Sequence, residues 1–188
     1  MRAGVLALQG DFAAHLAALP AGATEVRTAA AIDALDLLVL PGGESTTMLK
    51  LLDGSGIEEA VRRLVARGGV VFGTCAGAIL LAAEVRGPAQ RSFGLIDVTV
   101  ERNAFGRPVD SFEAVLEPDY PGVFIRAPRI RRVGPGVEVL ARWKGEPVLV
   151  REGRVFAATF HPELTADRRV HDLVLAAVGT ARETSVAR

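Results

Sequence analysis

Five residues constrain this chain more than any others: Gly73-Thr74-Cys75-Ala76-Gly77, set directly after the apolar run Val70-Val71-Phe72. A buried strand entering Gly-x-nucleophile-x-Gly and then a helical stretch, Ala78 to Ala83, is the sequence form of a nucleophile elbow. The small residues allow a tight turn and leave the central side chain exposed at the strand's C-terminal edge. A cysteine in that seat faces the helix N-terminus, whose partial positive charge favours the thiolate. Free cysteine is also among the most buried residue types, which makes a plain core thiol the competing reading; the flanking glycines favour the elbow. Cys75 is the only cysteine among 188 residues, so no internal disulfide forms, and the usage fits a reducing cytoplasm.

The rest of the chain alternates short apolar runs with helical segments, the pattern of an α/β fold with a mainly parallel sheet. Strands are expected at Arg2 to Leu8, Glu25 to Thr28, Asp36 to Leu40 and Val70 to Thr74. The third is apolar throughout, as strands covered on both faces are. Asp11 or a neighbour is placed to cap a first helix ending at Pro20; Ser45-Thr46-Thr47 opens another, and Ile57 to Arg67 forms a third. From Leu95 to Phe160 β-type runs at Ile96–Val100, Val123–Arg126, Val137–Leu140 and Val148–Val150 are divided by Gly and Pro turns, which predicts antiparallel additions. A helix from about Asp167 to Val178 closes the domain. Without linkers, repeats or low-complexity tracts, residues 1–188 read as one domain.

Charge excludes some classes of partner. With 22 basic and 22 acidic residues the formal charge is zero, so no basic face for nucleic acid is implied. The N-terminal apolar stretch is too short to span a membrane, and Cys and His are too few, without ligand spacing, for a metal site.

A nucleophilic cysteine needs a base, and there are three histidines. His15 lies in the first helix and reads as exposed or half-buried; His171 lies beside Arg168 and Arg169 in the last helix and reads as solvated. His161 follows the β-type run Arg154 to Phe160 and precedes Pro162, which removes a ladder donor and forces a turn where the imidazole emerges. Glu163 can then swing alongside the ring and hold its tautomer, the part a third group plays in a triad. Alone, His-Pro-Glu is a weak signal; joined to the cysteine elbow it becomes a Cys75-His161-Glu163 triad.

Gly-x-Cys-x-Gly with a late His-Pro-Glu resembles the class I glutamine amidotransferases. Further blocks narrow the resemblance: Gly4-Val5-Leu6-Ala7-Leu8-Gln9-Gly10, Leu40-Pro41-Gly42-Gly43-Glu44-Ser45-Thr46-Thr47-Met48, Glu101-Arg102-Asn103-Ala104-Phe105-Gly106-Arg107, Val109-Asp110-Ser111-Phe112-Glu113, Phe124-Ile125-Arg126-Ala127-Pro128 and Phe160 to Thr165. Together they are similar to the glutaminase subunits of pyridoxal 5′-phosphate synthase, the PdxT family. Ala78 stands where a larger aliphatic residue is expected, and the tail from Gly179 matches nothing.

The resemblance implies a three-layer, flavodoxin-like amidotransferase fold and hydrolysis of L-glutamine to glutamate and ammonia without a cofactor. It implies an oxyanion hole built from the Gly43 and Ala76 N–H groups. It also places Gly43, Glu44, Ser45, Arg102, Ile125 and Arg126 around glutamine. Arg102 suits the substrate α-carboxylate chemically, although a solvated arginine is the alternative. Free ammonia at neutral pH is mostly protonated, so direct delivery to a separate acceptor enzyme is expected. By resemblance that partner is the TIM-barrel synthase subunit, in a hetero-oligomeric complex. Gln9-Gly10 should share a sheet edge with Gly43 and Cys75, which makes it a candidate partner sensor or a plain strand-to-helix turn. Two rival readings remain: a glutaminase serving another acceptor, such as the imidazole glycerol phosphate branch of histidine synthesis, and an α/β relative with the same elbow but other chemistry or none.

Overall fold

The computed structural model describes residues 1–102 and 111–186, and its strands form where short apolar runs lie between turn residues. In the first half β1 (Ala3–Leu6), α1 (Phe12–Ala18), β2 (Thr24–Val26), α2 (Ala29–Ile32), β3 (Leu37–Leu40), α3 (Ser45–Leu52), α4 (Ile57–Ala66), β4 (Val70–Thr74) and α5 (Ala76–Leu81) follow in order. The second half carries β5 (Ala82–Arg86), β6 (Ile96–Glu101), β7 (Ser111–Val115), β8 (Pro121–Ile125), β9 (Arg129–Val133), β10 (Glu138–Trp143), β11 (Glu146–Glu152) and β12 (Val155–Ala158). A 3-10 turn at Pro162–Leu164 then leads to α6 (Arg169–Val186).

The main sheet has the order β10-β11-β12-β4-β3-β1-β2. From β12 to β2 all neighbours are parallel, while β11 and β10 add on antiparallel. Successive side chains of its strands point to opposite faces, and both faces are covered. Leu38 and Leu40 of β3, Val71 of β4 and Ala157 of β12 pack with Met48, Val61, Leu64 and Leu80 of α3, α4 and α5. Their alternates Leu37, Val39, Phe72 and Phe156 pack with Phe12 and Leu16 of α1 and Val170 and Val174 of α6. This is the three-layer arrangement that an unbroken apolar strand requires. Smaller sheets, β5-β6-β9 and β7-β8, flank it.

Side-chain caps fix two helix starts that matter for the site. Asp11 accepts from the Ala14 N–H at 3.2 Å. Glu44 caps α3, which opens at Ser45 as expected, accepting from the Thr46 and Thr47 N–H groups at 3.1 and 2.7 Å. Other expectations shift. The helix after the elbow stops at Leu81, and Ala82 and Ala83 continue as β5, because Ala82 turns extended and pairs with Ile96; tertiary pairing overrides alanine's helix preference. The β5–β6 pair is parallel, an exception to the expected antiparallel additions. Neither β7 nor β9 was legible as a strand. The basic run Arg129-Ile130-Arg131-Arg132-Val133 is an edge strand paired only to β6, and edge strands carry charge.

Candidate active site

Three neighbouring parallel strands, β3, β4 and β12, deliver Gly43 to Ser45, Cys75 and His161 to one edge of the sheet, the C-terminal edge where open α/β folds bind ligands, while Arg102 follows β6 and Ile125 and Arg126 stand at the end of β8. Cys75 follows β4 with φ 48° and ψ −102°, a sparsely populated conformation for a residue with a β-carbon. The elbow is held by its neighbours: the Cys75 N–H donates to the Ala158 carbonyl at 2.8 Å. Two glycines are required by close approach. A β-carbon on Gly77 would fall 2.1 Å from the Leu40 carbonyl oxygen, and one on Gly73 would fall 2.6 Å from the Gly77 carbonyl carbon.

His161 emerges beyond β12, its N–H donating to the Val123 carbonyl at 2.8 Å. Its Nδ1 lies 2.8 Å from Glu163 Oε1, which leaves Nε2 free to serve the neighbouring Cys75, one of the groups that shift the ring's pKa. Burial works against a charged imidazole, but the hydrogen bonds to Cys75 and Glu163 outweigh it and raise the His161 pKa to about 10. Burial likewise penalises the Glu163 carboxylate, yet contacts with His15 and His161 hold its pKa down at about 2. The arrangement is therefore an imidazolium flanked by the Glu163 carboxylate and the Cys75 sulfur.

The six residues expected to meet glutamine come together. Gly43, Glu44, Ser45, Arg102, Ile125 and Arg126 line one cleft with Cys75, along with Ile79 and Pro128, which sequence reasoning had not singled out. Arg102 donates to Thr46 Oγ1 at 3.0 Å and lies 3.9 Å from Glu44 Oε1. Arg126 has φ 46°, a second non-glycine residue in a strained region at the cleft. Cys75 Sγ sits 3.9 Å from the Ile125 carbonyl oxygen. Ala76 opens α5 directly after Cys75, where the first helical N–H groups have no intrahelical partner. Asn103 to Arg107, Val109 and Asp110, which carried part of the resemblance, lie outside the described residues.

Gln9 and Gly10 also reach this edge. Gln9 Oε1 accepts from the Glu44 N–H at 2.8 Å and lies where a β-carbon on Gly43 would stand, 2.4 Å away. Two histidines overturn the sequence reading. His15 and His171, expected at or near solvent, are buried at 0% and 1% exposure. They lie behind Glu163, because α1 and α6 cover that face of the sheet. Glu163 Oε2 stands 3.3 Å from His15 Nε2, an electrostatic contact more than a well-aligned hydrogen bond. Among the described residues no group of His, Cys, Asp and Glu is arranged to hold a metal ion, and no helix is long and apolar enough to cross a membrane.

The model of the SNO glutamine amidotransferase family matches residues 5–179. Pyridoxal 5′-phosphate synthase subunit PdxT of Koribacter versatilis is 53% identical over 183 residues, covering 93% of this chain and 94% of that protein. The subunit of the same name from Thermus thermophilus is 55% identical over 185 residues, covering 94% and 97%. A solved structure of a glutamine amidotransferase superposes with a TM-score of 0.89 at 53% identity, covering 94% of this chain and 98% of the other. The PurLQS structure from Thermotoga maritima, at 17% identity and a TM-score of 0.67, shares the fold.

Proposed function

We propose, from the premise that the chain belongs to the SNO glutamine amidotransferase family, that Cys75, His161 and Glu163 are the triad with which it releases ammonia from L-glutamine. It serves as the glutaminase subunit of pyridoxal 5′-phosphate synthase, in keeping with relatives of that name at more than half identity over nearly their whole length. The observation that carries the triad is the 2.8 Å contact between His161 and Glu163 set beside Cys75, which itself lines the cleft.

In the proposed reaction the Cys75 thiolate attacks the δ-carbonyl carbon of glutamine. The oxyanion of the tetrahedral intermediate forms against the Gly43 and Ala76 N–H groups. His161, oriented by Glu163, gives its proton to the leaving nitrogen as the C–N bond breaks, and ammonia departs. The same ring takes a proton from water, which hydrolyses the γ-glutamyl thioester to glutamate and restores the thiol. Every step uses side chains, backbone and water. Glu44, Ser45, Arg102, Ile125 and Arg126 hold the amino-acid end of glutamine, with Arg102 facing its α-carboxylate.

Residues 1–188 act as one glutaminase domain, and ammonia passes to a separate TIM-barrel synthase subunit within a hetero-oligomeric complex. Gln9 and Gly10, in contact with the Gly42–Glu44 loop, report the partner's docking to the oxyanion hole. The test is glutamate release from glutamine by this chain with and without the synthase subunit of the same organism. No release under either condition would overturn the assignment. Release that depends on a different acceptor enzyme would move the chain to another ammonia-consuming complex.

A further inference from the structure

We propose that His15 is a positioning residue for the triad carboxylate, holding the second oxygen of Glu163 while His171 fixes His15 in the tautomer that can donate. The inference rests on the triad assigned above.

The Glu163 side chain is wholly buried, so both its oxygens must find partners inside the protein. Oε1 is taken by His161. Among the described residues Oε2 has no geometrically ideal hydrogen bond, and the polar group that faces it is His15 Nε2 at 3.3 Å. The same nitrogen lies 3.0 Å from Oγ1 of Thr74, the residue directly before the nucleophile. On the other side of the ring, His15 Nδ1 lies 3.3 Å from His171 Nε2. Phe72 closes the cluster, with its ring edge-on to both imidazoles. Three elements thus meet behind the triad: α1 through His15, β4 through Phe72 and Thr74, and α6 through His171.

Hydrogen-bond accounting orders the protons. An ionised carboxylate only accepts, so a lone pair on His15 Nε2 facing Oε2 would repel it, whereas an N–H there attracts it. His171 is held neutral: burial pulls its pKa down to about 4, with the nearby Arg168 adding to the effect and Glu163 opposing it. A neutral imidazole has one N–H. His171 Nδ1 has no partner among the described residues, so a proton there would be an orphaned buried donor. The proton therefore sits on His171 Nε2 and is donated to His15 Nδ1. His15 is left with its single proton on Nε2, shared between Thr74 Oγ1 and Glu163 Oε2. The chain reads His171 to His15 to Glu163, which accepts from His161 on its far side. The competing arrangement reverses it, with the Thr74 hydroxyl donating to His15 Nε2 and His15 Nδ1–H donating to His171.

Substitution and spectroscopy separate the two. His15→Leu should lower kcat by about 10- to 100-fold, the usual cost of losing a group that orients a catalytic side chain, with KM for glutamine unchanged because His15 does not line the cleft. His15→Gln keeps an N–H near the Nε2 position and should recover most of kcat. Long-range proton–nitrogen correlation spectra of the unaltered protein at neutral pH should show both rings as Nε2–H tautomers. An Nδ1–H tautomer at His15 would overturn the proposal, even if His15→Leu failed to fold. So would wild-type kcat in His15→Leu, or equal losses of kcat and of melting temperature in Leu and Gln variants, which would mean packing alone. A wild-type protein that released no glutamate with its synthase would remove the glutaminase reading instead; the ring tautomers would still decide the relay.

Discussion

Gly10 lies so close to Gly42 that a β-carbon at position 10 would fall 1.8 Å from the Gly42 carbonyl oxygen. Gly42 in turn presses on the proposed base, since its own β-carbon would fall 2.4 Å from His161 Cε1 and 3.4 Å from Cys75 Cβ. Loops after β1 and β3 and the ring after β12 therefore form one stack, with no space for side-chain atoms between them. Gly10 also has φ +94°, so substitution is strained as well as crowded. Gly10→Ala should lower the melting temperature, costing about 1–3 kcal/mol, and should reduce kcat more than a distant lesion of equal stability cost. Gly22, with the same φ and open space around it, is the control: Gly22→Ala should carry the strain without the loss of turnover. Equal kcat in the two variants would show that the stack does not transmit to the site.

The proposed nucleophile makes the sharpest expectation. Cys75→Ala and Cys75→Ser should both abolish glutamate release while circular dichroism and melting temperature stay close to wild type. A glutamine-mimicking electrophile should add one label to the wild type, at Cys75, and none to the variants. More than a trace of turnover in Cys75→Ala would place the chemistry elsewhere.

The pH dependence of stability follows from the two shifted groups. His161 rises from 6.5 to about 10 on folding, so it contributes stability that is complete below about 6.5 and is lost as pH climbs through 10. Glu163 falls from 4.5 to about 2, so its contribution is complete above 4.5 and is lost as pH drops through 2. Denaturant midpoints should therefore decline from pH 6.5 toward 10. Because Glu163 is among the causes that raise His161, Glu163→Gln should flatten that alkaline decline, and should cost less turnover than His161→Asn, which removes the proton carrier itself. Parallel pH profiles for wild type and Glu163→Gln would contradict the coupling.

Local signals carried much of this site, and long-range packing carried the rest. The Cys75 elbow and the His161-Pro162-Glu163 turn are each written in a few consecutive residues, because tight turns demand particular residue types. Likewise β3 was legible as an apolar strand and β4 as the run Val70-Val71-Phe72 leading into the elbow, and their burial on both faces follows from the helices on either side. His15 and His171 gave no such signal. Their helices carry enough polar neighbours to suggest solvent, and they lie 156 residues apart before the fold sets them 3.3 Å from each other. Gln90 was invisible for the same reason: it meets the Ser45 hydroxyl at 3.1 Å only through the fold. Family resemblance, not periodicity, supplied Ile125 and Arg126, since nothing in their local pattern marks a substrate cleft.

Arg102 tests the orientation of glutamine. It is positioned by Thr46 and Glu44 at the cleft, and a charge-assisted hydrogen bond to the substrate carboxylate is worth about 1.5–3 kcal/mol. Arg102→Ala should therefore raise KM for glutamine by roughly 10- to 100-fold and change kcat far less. Arg102→Lys should recover part of the affinity, because it keeps the charge and loses the planar fork. A variant with unchanged KM would leave the carboxylate to another group.

Partner control is expected at Gly43, which combines a surface position with φ +149°. Its neighbour Glu44 is tied through its N–H to Gln9, and Gly10 abuts Gly42. A subunit docking against the Gln9-Gly10 loop would thus push directly on the peptide proposed to supply an oxyanion donor. A glutaminase running alone would waste glutamine, so turnover should be low for the isolated chain and rise with saturating synthase subunit. The rise can reach about 100- to 1,000-fold, the usual worth of one oxyanion donor. Gln9→Ala should bind the synthase and yet gain less turnover from it, because the link from the loop to Glu44 is cut. The decisive comparison is kcat with and without partner for wild type and Gln9→Ala. Equal stimulation of the two would show that the signal enters by another route, and no stimulation of the wild type would remove the switch altogether.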